Sequence, residues 1–180
     1  WRNVASLAEG DLVQTLENGL QPIRQIQKTN VWKQPGTCPD NVCPLFVPAG
    51  ALGNAEDLLL QGETMIAIAS KSFEAQSGHL YALVQGVDLI GFIGIERFQP
   101  HGPSKLFQLH FDHEELIPIG NGAVACCPSV LSVLNFDTSE DNETVNATTS
   151  GYPKLDHDQA QTFLAYLTQE LTEIVNARRR

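Results

Sequence analysis

The stretch Asp11-Leu12-Val13-Gln14-Thr15-Leu16-Glu17-Asn18-Gly19-Leu20-Gln21-Pro22-Ile23-Arg24-Gln25-Ile26-Gln27 decides the fold class. Asn18-Gly19 is a tight-turn signal between two short runs of apolar residues, so the stretch predicts a β-hairpin. Working outward, Leu45 to Val47, Leu58 to Leu60, Met65 to Ala69, His79 to Val84, Leu89 to Ile95 and Lys105 to Phe111 are further short apolar runs, each bounded by Gly, Pro, Asn or Asp. Glycines recur from Gly50 to Gly122 at a density that disfavours helices of useful length. The first 125 residues therefore read as mostly β, built from short strands with non-local pairing.

The period changes after Gly151-Tyr152-Pro153. Ala160, Phe163, Leu164, Leu167, Leu171, Ile174 and Val175 form one stripe of an α-helix, with Asp156 as its N-cap and Asp158 favourable to the dipole. Residues 137–150 hold one branched aliphatic and no aromatic, which predicts a mobile acidic loop. Within it, Asn142-x-Thr144 and Asn146-x-Thr148 match the glycosylation acceptor pattern, which matters only in a eukaryotic secretory route. The expected organisation is a β domain over 1–136, a loop over 137–151, and a C-terminal helix over 152–180 packed on that same domain.

A chain of 180 residues is long enough to bury a full core without disulfides. Its formal net charge of −10, with 11 acidic residues between Asp112 and Glu173 opposed only by Lys154, disfavours nucleic acid as a partner. No apolar run approaches the length of a bilayer span, and the acidic polar face of the helix (Glu170, Glu173) opposes binding to anionic lipid. Arg178 to Arg180 suit a helix C-terminus. These residues have no basic-then-apolar start, so any export signal or upstream domain is expected to lie outside them.

The four cysteines are Cys38, Cys43 and the adjacent Cys126 and Cys127. Buried or free thiols, a Cys38–Cys43 disulfide in an oxidising compartment, and a metal site stand in that order of preference. His110-x-Asp112-His113-Glu114 is a second candidate cluster. If the strand continued through it, His110, Asp112 and Glu114 would share a face, a donor set for a divalent metal that activates water. His79, His101 and His157 have no such neighbours and read as surface, turn or helix-start residues. Trp1 and Trp32 read as caps on apolar surface.

Three stretches together resemble the Hint family, the hedgehog and intein self-processing domains, in the form found within bacterial proteins. Trp1 to Leu16 with Asn18-Gly19 is similar to its V-x-x-L-x-x-G-D-x-V-x-T segment. Val47-Pro48-Ala49-Gly50-Ala51-Leu52-Gly53-Asn54 with Asp57-Leu58-Leu59-Leu60 is similar to its A-G-A-L-G-N … D-L-x-V stretch. Leu106 to Asp112, running on to Glu115, is similar to its H-L-L-F-D-x-H-E strand, and Tyr152 to Leu155 with Gln159-Ala160 to its closing segment. The resemblance implies a mostly β, Hint-type horseshoe with a C-terminal α-helix, needing no cofactor, whose substrate is its own upstream polypeptide. In that chemistry a Cys or Ser attacks the preceding carbonyl in an N–S or N–O acyl shift that leads to autoproteolysis or protein splicing. A histidine protonates the scissile nitrogen and donors bind the oxyanion.

The same resemblance shows where the family's chemistry is missing. Its nucleophile segment lies about a dozen residues ahead of the point where Trp1 aligns. Its S-P-x-H histidine aligns with Thr64, and the two histidines of H-L-L-F-D-x-H-E align with Gln108 and Glu114, leaving Asp112 and Glu115 as matches. The candidate catalytic residues are accordingly Asp112, His113 and Thr64. His113 would replace the family histidine at position 114 only through a strand bulge. The expectation is a Hint fold of the self-processing class that has lost its catalysis. The alternatives are an active domain shortened at its N-terminus and a metal-dependent hydrolase using residues 110–114.

Overall fold

The computed structural model describes residues 1–30, 38–40, 42–101, 105–131 and 151–178, with side chains as far as residue 173 in the last stretch. Trp32, the 137–150 segment with its two acceptor tripeptides, Arg179 and Arg180, and the side chains of Ile174, Val175 and Arg178 lie outside the described residues.

Among the described residues, eleven short strands are arranged in four antiparallel sheets. The sheets pair β1 (Leu12–Gln14) with β2 (Leu20–Pro22), β3 (Gln25–Asn30) with β9 (Lys105–His110), and β4 (Leu45–Val47) with β5 (Leu58–Leu60) and β8 (Glu96–Arg97). A four-stranded sheet runs β10 (Glu115–Ile119), β11 (Ala123–Cys127), β6 (Met65–Ala69), β7 (Tyr81–Gln85). Pro118, which lacks an N–H, sits on the edge strand β10, where a missing donor is tolerated.

The mostly β architecture with one closing helix is as expected, but three local readings are corrected. The second arm of the hairpin does not run from Leu20 to Gln27 as one strand. The Ile23 N–H still pairs with Asp11 of the hairpin, whereas the Arg24 N–H pairs with His110, so the chain changes sheet between those two residues. Leu89 to Ile95 is not a strand but two 3-10 turns, Gly86–Leu89 and Phe92–Gly94, because Gly91 (φ 91°), Ile93 (φ 44°) and Gly94 (φ 79°) adopt left-handed conformations that break a ladder. A short helix, α1 (Lys71–Ser77), stands where glycine density disfavoured one. Ser70 caps it by accepting the Phe73 N–H, and Gly78 (φ 78°) ends it in the left-handed region.

Helix α2 (His157–Arg178) starts where its cap signal predicts. Asp156 Oδ1 accepts the Gln159 N–H at 2.9 Å and Gln159 Oε1 accepts the Asp156 N–H at 3.1 Å, a reciprocal capping box. Ala160, Leu164 and Leu167 are buried in the same core as Ile23, Leu45, Val47, Ile66, Leu109, Phe111 and Cys127. The Asp88–His157 pair and a Gln161 amide bond to the Asp88 carbonyl dock the helix start on the turn after β7.

The Ala49-to-Asn54 loop is held from two sides. Buried Asn54 donates to the Pro48 and Glu56 carbonyls and accepts from the Leu52 N–H. Gly53 lies so close to Gly122 that a Cβ on Gly122 would sit 1.9 Å from the Gly53 oxygen. Only glycine permits that contact, which sets the loop against the β10–β11 turn.

Candidate functional site

The four-stranded sheet gathers the candidate site. Glu115 on β10 faces Cys127 on β11, and Cys126 faces Met65 on β6. Thr64 stands one residue before β6, in a turn closed by its N–H on the Gln61 carbonyl at 3.1 Å, and its own carbonyl accepts the Gly86 N–H at 2.8 Å. Residues directly opposite in an antiparallel pair project from the same face. Cys127 and Glu115 thus form a row across β11 and β10, with Thr64 at the entry of the next strand. This arrangement was invisible in the sequence, because it depends on pairing between separate segments of the chain.

The first hairpin reaches into the end of this row. Thr15, almost fully buried, donates to the Gly19 carbonyl and accepts the Asn18 N–H, which fixes the turn. The Leu16 N–H donates to the Leu116 carbonyl, so the hairpin leans on β10. Its Asn18 amide then donates to both oxygens of the buried Glu115 carboxylate, at 3.1 and 3.0 Å. A buried carboxylate without a donor would be costly, and Asn18 supplies one. Cys127, opposite Glu115 in the row, is pushed up to about 12 by burial first and by Glu115 second. It is therefore held as a thiol at neutral pH, a poor nucleophile.

The other candidates stand in the turn between β9 and β10, and the strand does not continue through them. Residues 112–114 are bent, so neither a shared strand face for His110, Asp112 and Glu114 nor a bulge bringing His113 into the position of Glu114 applies. Asp112 and His113 are exposed. Arg24 donates to Asp112 from Nε to both oxygens at 2.9 Å and from Nη2 at 2.7 Å. Those hydrogen bonds, before the Arg24 charge and that of His113, hold the Asp112 carboxyl below its usual range, with slight burial opposing them. Asp112 is an ion-paired anion, not a proton donor. Glu114 is paired with Lys154 at 2.8 Å. Among the described residues no hydrogen bond joins Thr64 to Asp112 or His113.

His110 ends β9 opposite Gln25 and is 2 % exposed. Neither ring nitrogen makes a hydrogen bond of normal geometry, and burial lowers its pKa against the opposing effect of the Ser129 backbone. It is a neutral imidazole on a strand paired with β3, outside the sheet that carries the row. Among the described residues no group of His, Cys, Asp and Glu converges as a metal site, and the 110–114 cluster is split between a buried ring and two separate ion pairs. A cleft of about 750 Å³ opens between the Gly50–Gly53 loop, β6 and α2, lined by Leu52, Ile68, Phe92 and Leu167 among others; none of the candidate residues borders it.

Compared with known proteins, residues 1–125 match a family model described as Hint domain. No curated protein and no solved structure matches the chain.

Proposed function

From the premise that the chain belongs to the Hint domain family, a self-processing class, we propose that it keeps the fold of that class without the side chains that drive the reaction. One observation carries this reading: the position that resembles the family histidine holds Thr64, in the turn that enters β6 beside the sheet carrying Cys127 and Glu115. A hydroxyl accepts and donates hydrogen bonds but does not deliver a proton to an amide nitrogen near neutral pH as an imidazolium does. The two remaining histidine positions are Gln108, which cannot titrate, and Glu114, tied to Lys154. Asp112 and His113 on the exposed turn stay close to the matched segment, yet Asp112 is committed to Arg24.

The substrate of the family's reaction is the polypeptide that precedes its nucleophile, and in this reading the domain does not cut such a segment. The domain then acts as a structural or interaction module. The protein is tested in its natural reading frame, with the residues preceding Trp1 in place, incubated with an excess of small thiol, and its intact mass followed. The full-length mass is expected to persist. A fragment released at a Cys or Ser upstream of Trp1, and lost when that residue is changed to Ala, would overturn the reading in favour of an active domain.

A further inference from the structure

A second cluster of chemically reactive groups lies in the segment entering β4. Cys38 and Cys43 are 1 % and 4 % exposed, and both are thiols. The Cys43 thiol donates to the Cys38 carbonyl at 3.1 Å, and the Cys38 thiol to the Pro39 carbonyl at 3.8 Å, so both sulfurs lie in one buried turn. Gln99 clamps the pair from the far side of β8. Its Oε1 accepts the Cys38 N–H at 2.9 Å, and its Nε2 reaches the Cys38 carbonyl at 3.4 Å and the Cys43 sulfur at 3.6 Å. The other two cysteines have no such arrangement. Their strand sends Cys127 into the main core and Cys126 into a second cluster on the opposite face.

We propose that Cys38 and Cys43 are a disulfide-forming pair that closes the turn entering β4 when the protein folds in the presence of a small-molecule disulfide. The location gives the bond a purpose. Strand β8 is only two residues long, and the Phe98 N–H to Pro44 carbonyl bond at 2.8 Å is what extends its pairing toward the cysteines. A crosslink beside that bond restricts the unfolded chain and steadies the turn that the Gln99 side chain holds from beyond β8.

The chemistry balances as two exchanges. One cysteine thiolate attacks the small disulfide, expelling one small thiolate and leaving a mixed disulfide. The second cysteine thiolate attacks the protein sulfur of that bond, expelling the other small thiolate. The two cysteines lose two electrons and two protons, and the small disulfide is reduced to two thiols. Burial, then the Cys38 thiol, raise Cys43 to about 11, so the folded protein reacts slowly and closure belongs to folding or local opening.

The experiment refolds the reduced protein with glutathione disulfide, blocks remaining thiols by alkylation in denaturant, and maps peptides without reduction. The expected product links Cys38 to Cys43, two hydrogens lighter than the dithiol, with Cys126 and Cys127 alkylated. Its Tm is expected to exceed that of the same sample after reductant by several degrees, and Cys43→Ser to abolish the difference. Should that variant not fold, the wild-type comparison with and without reductant stands alone. Recovery of Cys38 and Cys43 as free thiols, as separate glutathione adducts or linked to Cys126 or Cys127 would overturn the proposal, as would an unchanged Tm.

Discussion

Asn18 donates from its side-chain amide to both carboxylate oxygens of Glu115, 97 positions later in the chain, and so fastens the first hairpin to the edge of the four-stranded sheet. Glu115 is 4 % exposed, and among the described residues no ion pair takes the place of the amide. Asn18→Ala is therefore expected to strand a buried carboxylate and to lower the free energy of unfolding by about 1–3 kcal/mol. Urea denaturation measures it. A midpoint equal to that of the unaltered protein would show that solvent satisfies Glu115.

The start of α2 should respond to pH with a defined sign. His157 Nδ1 lies 2.6 Å from an oxygen of the buried Asp88 carboxylate, and that hydrogen bond, then the Asp88 charge, raise the imidazole above its ordinary 6.5. A raised folded-state value gives stability that is complete below the unfolded value, about 6.5, and fades as pH rises through the folded value. The imidazole is largely exposed, so the effect is modest. The stability difference between the unaltered protein and His157→Gln is expected to be largest below about pH 6.5 and to shrink as pH rises past it. A difference that grows toward alkaline pH would contradict the pairing.

Gly122→Ala should be among the most damaging small substitutions. The new methyl would stand 1.9 Å from the Gly53 carbonyl oxygen, and both partners are backbone. Overpacking with no flexible side chain to yield is expected to cost about 2–3 kcal/mol or more. Gly10→Ala, where nothing lies within 4 Å but φ is +90°, provides the comparison of pure backbone strain. Thermal unfolding of both variants tests this: equal shifts would deny the loop-to-turn contact.

Docking of the C-terminal helix rests on a few side chains. Leu164, 5 % exposed, packs in the main core, and Leu164→Ala is expected to destabilise the whole β domain by about 2–5 kcal/mol in a single cooperative transition. A helix that melted separately, with the sheets intact, would show that it is an independent unit.

Local signals were legible in the sequence and non-local ones were not. Asn18-Gly19, the bounded runs at β4, β5 and β6, and the Asp156 cap each act within a few residues, and each stands where expected. The Leu89 to Ile95 run failed because its apolar content hid three left-handed residues. Helix α1 failed although Ser70 and Gly78 carry its cap signals, since the density of glycines outweighed them. For the site, the sequence indicated which family positions are altered. It did not reveal that Cys127 faces Glu115 or that Asn18 reaches Glu115, because those relations come from strand register and from packing between sheets.

The most direct measurement places a proton donor back at position 64. With the natural upstream residues in place, the rate of backbone cleavage is followed by intact mass for the unaltered chain and for Thr64→His. The unaltered chain is expected to stay whole, and the histidine to raise any cleavage by on the order of 100-fold, the contribution of a positioned general acid. Prompt cleavage of the unaltered chain, left unchanged by the histidine, would contradict the claim that catalysis was lost at Thr64.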